Sequence, residues 1–356
     1  MTQGNQLRVA SLFSGVGSFE KALNNLDIEH EVVLFSEIKE HSIISYCTLH
    51  DIERDKNYGD VTGINPKELP EFDLMTYGFP CQDITKEGTM EGFKKDSGTR
   101  SSLLWNAMDI ASVRKPKYMV AENVRSLTYK TYKEDFEDWL EFLDLMGYNT
   151  YYKVLNAEEY GIPQRRKRVI IVSIRKDVDD KEFDFDNRLE LPEYELDDIL
   201  RYRRKPEYIM EKDKLDDLIS EWGSNYVHVQ EATKKGYKKA ELGDAINIQF
   251  PGSTTRRGRV GKSVVKTLQT TCNQAILTED GLRKLTPLEY WRLMGFEDED
   301  FWRTKIAIEN ELYSGMDKTE NKMYEMAGNS IVVPLLESVF YNLFNLSQES
   351  TQEKVA

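Results

Sequence analysis

Cys81 stands in the run Pro80-Cys81-Gln82, between an apolar stretch ending at Tyr77 and a long polar loop. A cysteine in a loop after a buried strand can serve as a nucleophile when cationic or helix N-terminal surroundings favour its thiolate. A buried structural thiol suits the same dipeptide, and the dipeptide alone leaves both readings open. Cys47 falls in an apolar helical stretch and Cys272 in the second half of the chain, so of the three cysteines Cys81 has the placement suited to chemistry. Glu122 ends the apolar run 118–121, where a partly desolvated carboxyl can hold or donate a proton. Arg166 and Arg168 open the run 168–174, in a basic cluster that also suits a solvated turn. A second constellation is Phe13-Ser14-Gly15-Val16-Gly17, which follows one apolar run and opens a helical one. Glycines there let the backbone approach a ligand, and the helix N-terminus offers free N–H groups. Glu37 ends the next strand, where an acid accepts from ribose hydroxyls in nucleotide-binding folds. Asp60, followed by Val61, could accept from an adenine amine; both acids also suit an ordinary solvated surface.

Taken together and in order, these segments and Gly328-Asn329-Ser330 resemble the motif set of bacterial and phage DNA (cytosine-5)-methyltransferases, over residues 8–175 and 283–340. The resemblance implies S-adenosyl-L-methionine as cofactor. Phe13, Ser14, Gly15 and Gly17 would line its site with Val61 and Gly78; Glu37 would hold the ribose and Asp60 the adenine. Asn329 and Ser330 would stand beside the methionine end. The family often has a large aromatic after that ribose acid; Ile38 stands here, an apolar wall in place of a stacking ring. Catalysis would use the Cys81 thiolate on carbon 6 of a flipped cytosine, with Glu122 at ring nitrogen 3. The family pattern Gln-x-Arg-x-Arg matches Gln164, Arg166 and Arg168, with Arg166 on the base's carbonyl oxygen and Arg168 pairing with local carboxylates. Residues 83–101 would be a lid over the extruded base, with Gln82, Ser97, Arg100 and Gln164 among the DNA contacts.

These groups need elements to position them. Apolar runs at 7–12, 31–36, 72–77, 118–121, 151–155 and 168–174 read as strands, and 17–26, 40–50, 102–113 and 135–146 as helices. That alternation predicts a doubly wound, Rossmann-like α/β domain whose ligands sit at the carboxyl ends of the strands. After Arg175 the rhythm breaks into an acidic, Pro-containing linker and a smaller irregular domain expected to recognise DNA. The spacing predicts a catalytic and cofactor-binding domain over 1–178, a recognition domain and hinge over 179–322, a helix over 323–347 returning to the first domain, and a frayed tail over 348–356. Thr286-Pro287 reads as a helix start, and 330–346 as the last helix.

The chain has 356 residues and a net charge of −14, an unusual balance for a protein that binds DNA. The local pattern resolves the conflict: residues 245–278 contain no Asp or Glu but carry Arg256, Arg257, Arg259, Lys262 and Lys266. The three arginines suit phosphate contact or guanine readout, and Thr267-Leu268 is similar to the element that supports the flipped nucleotide in the family. The partner expected is double-stranded DNA. Transfer-RNA enzymes share the motif set but have a much reduced recognition region, and the roughly 100 residues after Arg175 favour DNA. A catalytically inactive DNA-binding relative would need a broken motif, whereas Cys81, Glu122, Arg166 and Arg168 are all present. Three cysteines without Cys-x-x-Cys spacing argue against a disulfide scaffold or a metal site. The start of the chain has no basic or apolar leader, and no run reaches the ~20 apolar residues of a membrane span, so a cytoplasmic monomer is expected.

Overall fold

Leu7–Leu12 (β1) is buried from Val9 onward, as a strand covered on both faces must be. There follow α1 (Ser18–Asn25), β2 (His30–Ser36), α2 (Glu40–His50), β3 (Leu74–Tyr77), α3 (Leu104–Arg114), β4 (Tyr118–Val124), α4 (Lys133–Leu145), β5 (Tyr148–Asn156), β6 (Gln164–Arg165) and β7 (Lys167–Arg175). The computed structural model describes residues 6–81, 84, 92–94, 97–180, 183–200 and 206–346. One sheet runs in the order β2-β1-β3-β4-β7-β5. β1 pairs in parallel with β2 and β3, and β3 with β4; β7 is antiparallel to β4. Ala107, Met108 and Ala111 of α3 and Phe136, Trp139 and Leu143 of α4 share one apolar core with Met75, Tyr77, Met119 and Ala121 of the sheet. The alternation expected from sequence is present, and the parallel arrangement puts the loops after β1, β2, β3 and β4 along one edge.

By compactness the chain divides into two units: residues 1–155, 167–190 and 335–356, and residues 156–166 and 191–334. These limits differ from the expected ones. Residues 183–190, read as linker, have Phe183, Phe185 and Leu189 buried, and Asn187 donates to Asn342 at 2.7 Å. The expected last helix is interrupted: α8 (Glu320–Asn329) ends in the second unit, Ser330 turns extended, and α9 (Val333–Leu343) carries the chain into the first.

The second unit is more regular than the sequence suggested. It contains α5 (Leu196–Ile199), β8 (Ile219–Trp222), β9 (Tyr226–Gln230), β10 (Tyr237–Glu241), β11 (Ala245–Asn247), β12 (Val260–Gly261), β13 (Val265–Lys266), β14 (Gln274–Thr278), β15 (Gly281–Lys284), α6 (Pro287–Arg292), α7 (Asp298–Tyr313) and α8. Two antiparallel sheets, β10-β9-β8 and β12-β11-β14-β15, bury Val227, Val229, Ala240, Ile246, Ala275 and Leu282 in a common core. Strands this short, with lysines on their open faces, blur the alternation that marks a strand. Thr286 caps α6 with Pro287 in its first turn, as the sequence predicts, and Glu289 completes a capping box. Among the described residues no helix is long and apolar enough to cross a membrane.

Asp73 ties the opposite ends of three strands. Its backbone N–H donates to Arg8 and its carbonyl accepts from Tyr118, while its carboxylate pairs with Arg8 at 2.9 Å and Lys117 at 3.1 Å. Burial opposes ionisation, but the two cations outweigh it and hold the carboxyl at about 2. A depressed carboxyl stabilises the fold above its unfolded value and loses that contribution as pH falls through its folded value. Asp73→Asn should therefore destabilise the protein at pH 7, with the deficit shrinking between about pH 4 and pH 2. Denaturation midpoints across that range test this; an equal deficit at both ends would contradict it.

Candidate active and cofactor-binding sites

The loop after β1 is strained where it matters. Phe13 is left-handed at φ 55, a conformation that bulky residues rarely hold without a reason. Gly17 caps α1 at φ 79, and a Cβ there would lie 2.1 Å from the His50 ring. That ring meets the Val16 carbonyl at 3.0 Å, so glycine is what lets α1 and α2 close on the loop. Ser14 donates its N–H to the Ser36 carbonyl at 3.2 Å, tying the loop to the end of β2. Glu37 does the rest: Oε2 accepts from Gly15 N at 3.0 Å and Oε1 from Ile38 N and Lys39 N at 2.8 Å each. A carboxylate offers about four acceptor positions, so capacity for a further donor remains.

Asn57 was missed in the sequence and is central here. Its Oδ1 accepts from Glu37 N and Gly59 N, and its Nδ2 donates to Glu37 O, which fixes the two acids' segments side by side. Ser36 Oγ donates to Gly59 O at 2.7 Å. Asp60 accepts from Thr62 N and caps the turn Val61–Gly63, with Val61 buried beneath it. Ile38 is 68% exposed beside Glu37. An Asn two residues before a glycine in a loop carries no distinctive signal, which is why only the structure reveals it.

The loop after β3 holds Cys81. Phe79 is anchored edge-on against Trp139, and its carbonyl accepts from the buried Asn123 at 3.0 Å. Cys81 follows two residues later, half-buried against the apolar core. One strand over, Glu122 ion-pairs with Arg168 at 2.7 Å, both side chains nearly buried. A Cβ built on Gly78 would lie 3.9 Å from Glu122 Oε2, so the strand end carrying Cys81 runs directly past that carboxylate. The other cysteines have other surroundings. Burial pushes the Cys272 thiol up, and its sulfur contacts the carbonyls of Gln274 and Leu285. Cys47 lies within α2.

Arg166 has a different task from the one expected. It is 2% exposed, and its terminal nitrogens donate to the carbonyls of Leu268, Gly328 and Ser330 at 3.1, 2.9 and 2.8 Å. A guanidinium that gives three hydrogen bonds to backbone carbonyls is architecture for the second unit, and it is Arg168 that stands on Glu122. Gln164, expected at the DNA, is likewise fully buried, donating to Leu293 O and accepting from Leu268 N. Thr267 donates to Arg165 O at 2.9 Å, beside the pairing of β6 with β13. Arg259 is the third correction. It is 1% exposed and binds the carbonyls of Asn247, Gln249, Phe250 and Pro251, and burial lowers its basicity. Arg257 is exposed, and Arg256 is half-buried with Nη2 on Gln249 Oε1 at 2.9 Å. Asn329 and Ser330 belong to the second unit and the Phe13–Asp60 group to the first. Ser97 and Arg100 are exposed, Ser97 on the hydroxyl of Thr99; Gln82 and much of 83–101 lie outside the described residues.

The division between the two arginines is testable by stability alone. Arg166→Met leaves three carbonyls without a donor, at ~1–3 kcal/mol each. Arg168→Met strands one carboxylate at a strand end and should cost clearly less. Urea denaturation of both variants decides; equal losses would mean that Arg166 is not the clamp described.

The family model of C-5 cytosine-specific DNA methylases matches residues 7–345. The type II methyltransferase M2.ScrFI of Lactococcus lactis subsp. cremoris is 33% identical over 398 residues, an alignment covering 95% of this chain and 99% of that protein. The orphan methyltransferase M.SssI of Spiroplasma monobiae is 30% identical, covering 83% of this chain and 72% of that protein. Among solved structures, the Dnmt2 methyltransferase of S. pombe superposes with a TM-score of 0.63 at 20% identity, covering 96% of this chain and 99% of that one. A putative DNA modification methyltransferase of an E. coli prophage gives 0.59 at 19% identity, covering 96% of this chain and 99% of that one.

Proposed function

Because the chain belongs to the C-5 cytosine-specific DNA methylase family, we propose that it methylates carbon 5 of a cytosine extruded from duplex DNA, with Cys81 as nucleophile. The observation that carries this reading is the strand-end group: Cys81 in the loop after β3, Gly78 against Glu122, and Glu122 paired with Arg168. Carbon 5 of cytosine is a poor nucleophile, and a base inside a duplex is out of reach, so the base must leave the stack. The Cys81 thiolate adds to carbon 6, forming a sulfur–carbon bond and moving the double-bond electrons toward carbon 5. Glu122, in its protonated form, donates to ring nitrogen 3 and takes up the charge that this addition pushes onto the ring. Arg168 orients Glu122 and would meet the neighbouring carbonyl oxygen of the base. Once carbon 5 carries its new methyl group, loss of its proton restores the double bond and expels the thiolate.

S-adenosyl-L-methionine, when bound, supplies the methyl group. The residues after β1 and β2 suit it: a strained Phe13, open space above Gly15, an exposed Ile38 and a Glu37 carboxylate with acceptor capacity left after three N–H bonds. Glu37 would take a ribose hydroxyl and Asp60 the adenine amine. Arg256 and Arg257 would contact the duplex, and the preferred assembly is a monomer in the cytoplasm.

Cys81→Ser should abolish methyl transfer to duplex DNA while binding survives, and a duplex carrying 5-fluorocytosine should trap a denaturation-resistant adduct, because fluorine cannot leave as a proton. Substantial turnover by Cys81→Ser would sink the covalent route. In calorimetric titration Glu37→Ala should weaken cofactor binding by ~1–3 kcal/mol, whereas Glu122→Gln should leave it near normal and slow the reaction. The reverse pattern would show that the two acids have been exchanged.

A further inference from the structure

The backbone around Cys81 is held on both sides of the cysteine. Before it, Asn123 Nδ2 donates to Phe79 O at 3.0 Å. After it, Ser126 Oγ donates to Ile84 O at 2.6 Å. Ile84 N in turn donates to Cys81 O at 3.1 Å, so the grip on Ile84 reaches the backbone of the cysteine itself. Phe79 and Ile84 are both buried, in one apolar cluster with Phe93 and Leu127. A hydroxyl in a short helical turn commonly bonds back into its own turn, as Thr128 Oγ1 does to Arg125 O at 3.0 Å. Ser126 instead reaches a carbonyl 42 residues away.

Both donors belong to one continuous stretch. Glu122 and Asn123 lie in β4, paired across to Ile170 and Val169, and Ser126 lies in the short turn Arg125–Thr128 that follows. That turn is itself well set: Leu127 is buried, and Ser126 O accepts from Tyr129 N at 2.9 Å. The stretch 122–126 thus supplies the carboxyl group assigned to ring nitrogen 3 and both tethers of the segment that bears the thiol. Addition at carbon 6 and proton donation at nitrogen 3 act on two atoms of one small ring, so the thiol and the carboxyl must keep a fixed separation. A misplacement of ~1 Å at such a pair can cost ~100-fold in rate. Strand pairing fixes Asn123 whatever its side chain does, whereas the far side of the cysteine segment depends on the Ser126 hydroxyl.

We propose that Ser126 is a positioning residue for the nucleophile, holding the Cys81 segment through Ile84 at a set distance from Glu122. The assignment rests on the reading of Cys81 as the attacking thiolate. Ser126→Ala should slow adduct formation and kcat by ~10- to 100-fold while KM for duplex stays near normal. Ser126→Thr keeps the hydroxyl and should restore most of the rate. Ser126→Val has the shape of threonine without the hydroxyl and should not, so this pair makes the comparison at equal side-chain volume. Thr128→Ala removes a hydrogen bond inside the same turn without touching the Cys81 segment, and should leave the rate unchanged.

The experiment follows denaturation-resistant adduct formation over time, with the full chain and these variants, S-adenosyl-L-methionine and a labelled random-sequence duplex pool carrying 5-fluorocytosine. Steady-state methyl transfer to the unfluorinated pool gives KM and kcat, and thermal melts establish folding. If the unaltered protein traps the adduct and folded Ser126→Ala traps it equally fast, the assignment is overturned while the covalent reading stands. Equal rates for Ser126→Thr and Ser126→Val would show that the hydroxyl is not the agent. Slowing by Thr128→Ala to the level of Ser126→Ala would mean that any loosening of the turn suffices, and a raised KM at unchanged kcat would move Ser126 to duplex binding; either overturns the assignment. If the unaltered protein traps no adduct, the reading of Cys81 falls and takes this assignment with it.

Discussion

One buried guanidinium organises the second unit. Taking a cation out of water costs several kcal/mol unless hydrogen bonds replace the lost hydration. Arg166 recovers that cost by joining two segments far from it in sequence: Leu268, and the end of α8 at Gly328 and Ser330. Close packing reinforces the joint. A Cβ on Gly328 would lie 2.3 Å from the backbone of Gln269, so only glycine permits the approach. The order then propagates outward. Gln164 holds Leu268, Gln269 pairs with Gln249, and Gln249 holds Arg256. A surface side chain near the proposed DNA face is thus tied by successive hydrogen bonds to the buried motif Gln164–Arg166.

The first unit depends on a strand running the wrong way. β7 is antiparallel to β4, with Arg168 opposite Val124 and Ile170 opposite Glu122. Its first residues therefore arrive at the carboxyl end of β4, where the loops of the parallel strands converge. A parallel strand would have delivered Arg168 to the far edge, beside Asp73. The reversal is what lets a motif at the start of a strand serve a site at the end of its neighbours, and it makes the Glu122–Arg168 pair possible.

Much of this was legible in the sequence because the relevant signals are local. Buried parallel strands are short apolar runs, and the Gly15–Gly17 loop, the helix start at Thr286 and the strand-end acids each carry a distinctive residue at a fixed offset. What was not legible depends on long-range burial. Arg166 and Arg168 stand two residues apart in one motif, yet one is an internal clamp and the other faces a carboxylate. Arg256, Arg257 and Arg259 likewise read as one basic stripe, though Arg259 is buried among carbonyls. The charge of an arginine is visible in sequence; whether it will meet solvent or backbone is set by how other segments fold around it, more than a hundred residues away for Arg166 and 8 to 12 residues away for Arg259. Asn57 was invisible for the same reason, since two of its three hydrogen bonds are made to Glu37, twenty residues earlier.

The same distinction explains how an acidic chain can present a face to a polyanion. Net charge counts every ionised group equally, but a field at a surface is made by the groups left exposed and unpaired. Glu231 is removed from the surface by burial, and Glu241 and Asp244 are neutralised locally by Lys239 and Lys262. Arg259 is withdrawn as well, but its withdrawal shapes the loop that carries Arg256, Phe250 and Arg257. Burying one cation to hold two others and an aromatic ring in place trades a small amount of local charge for geometry.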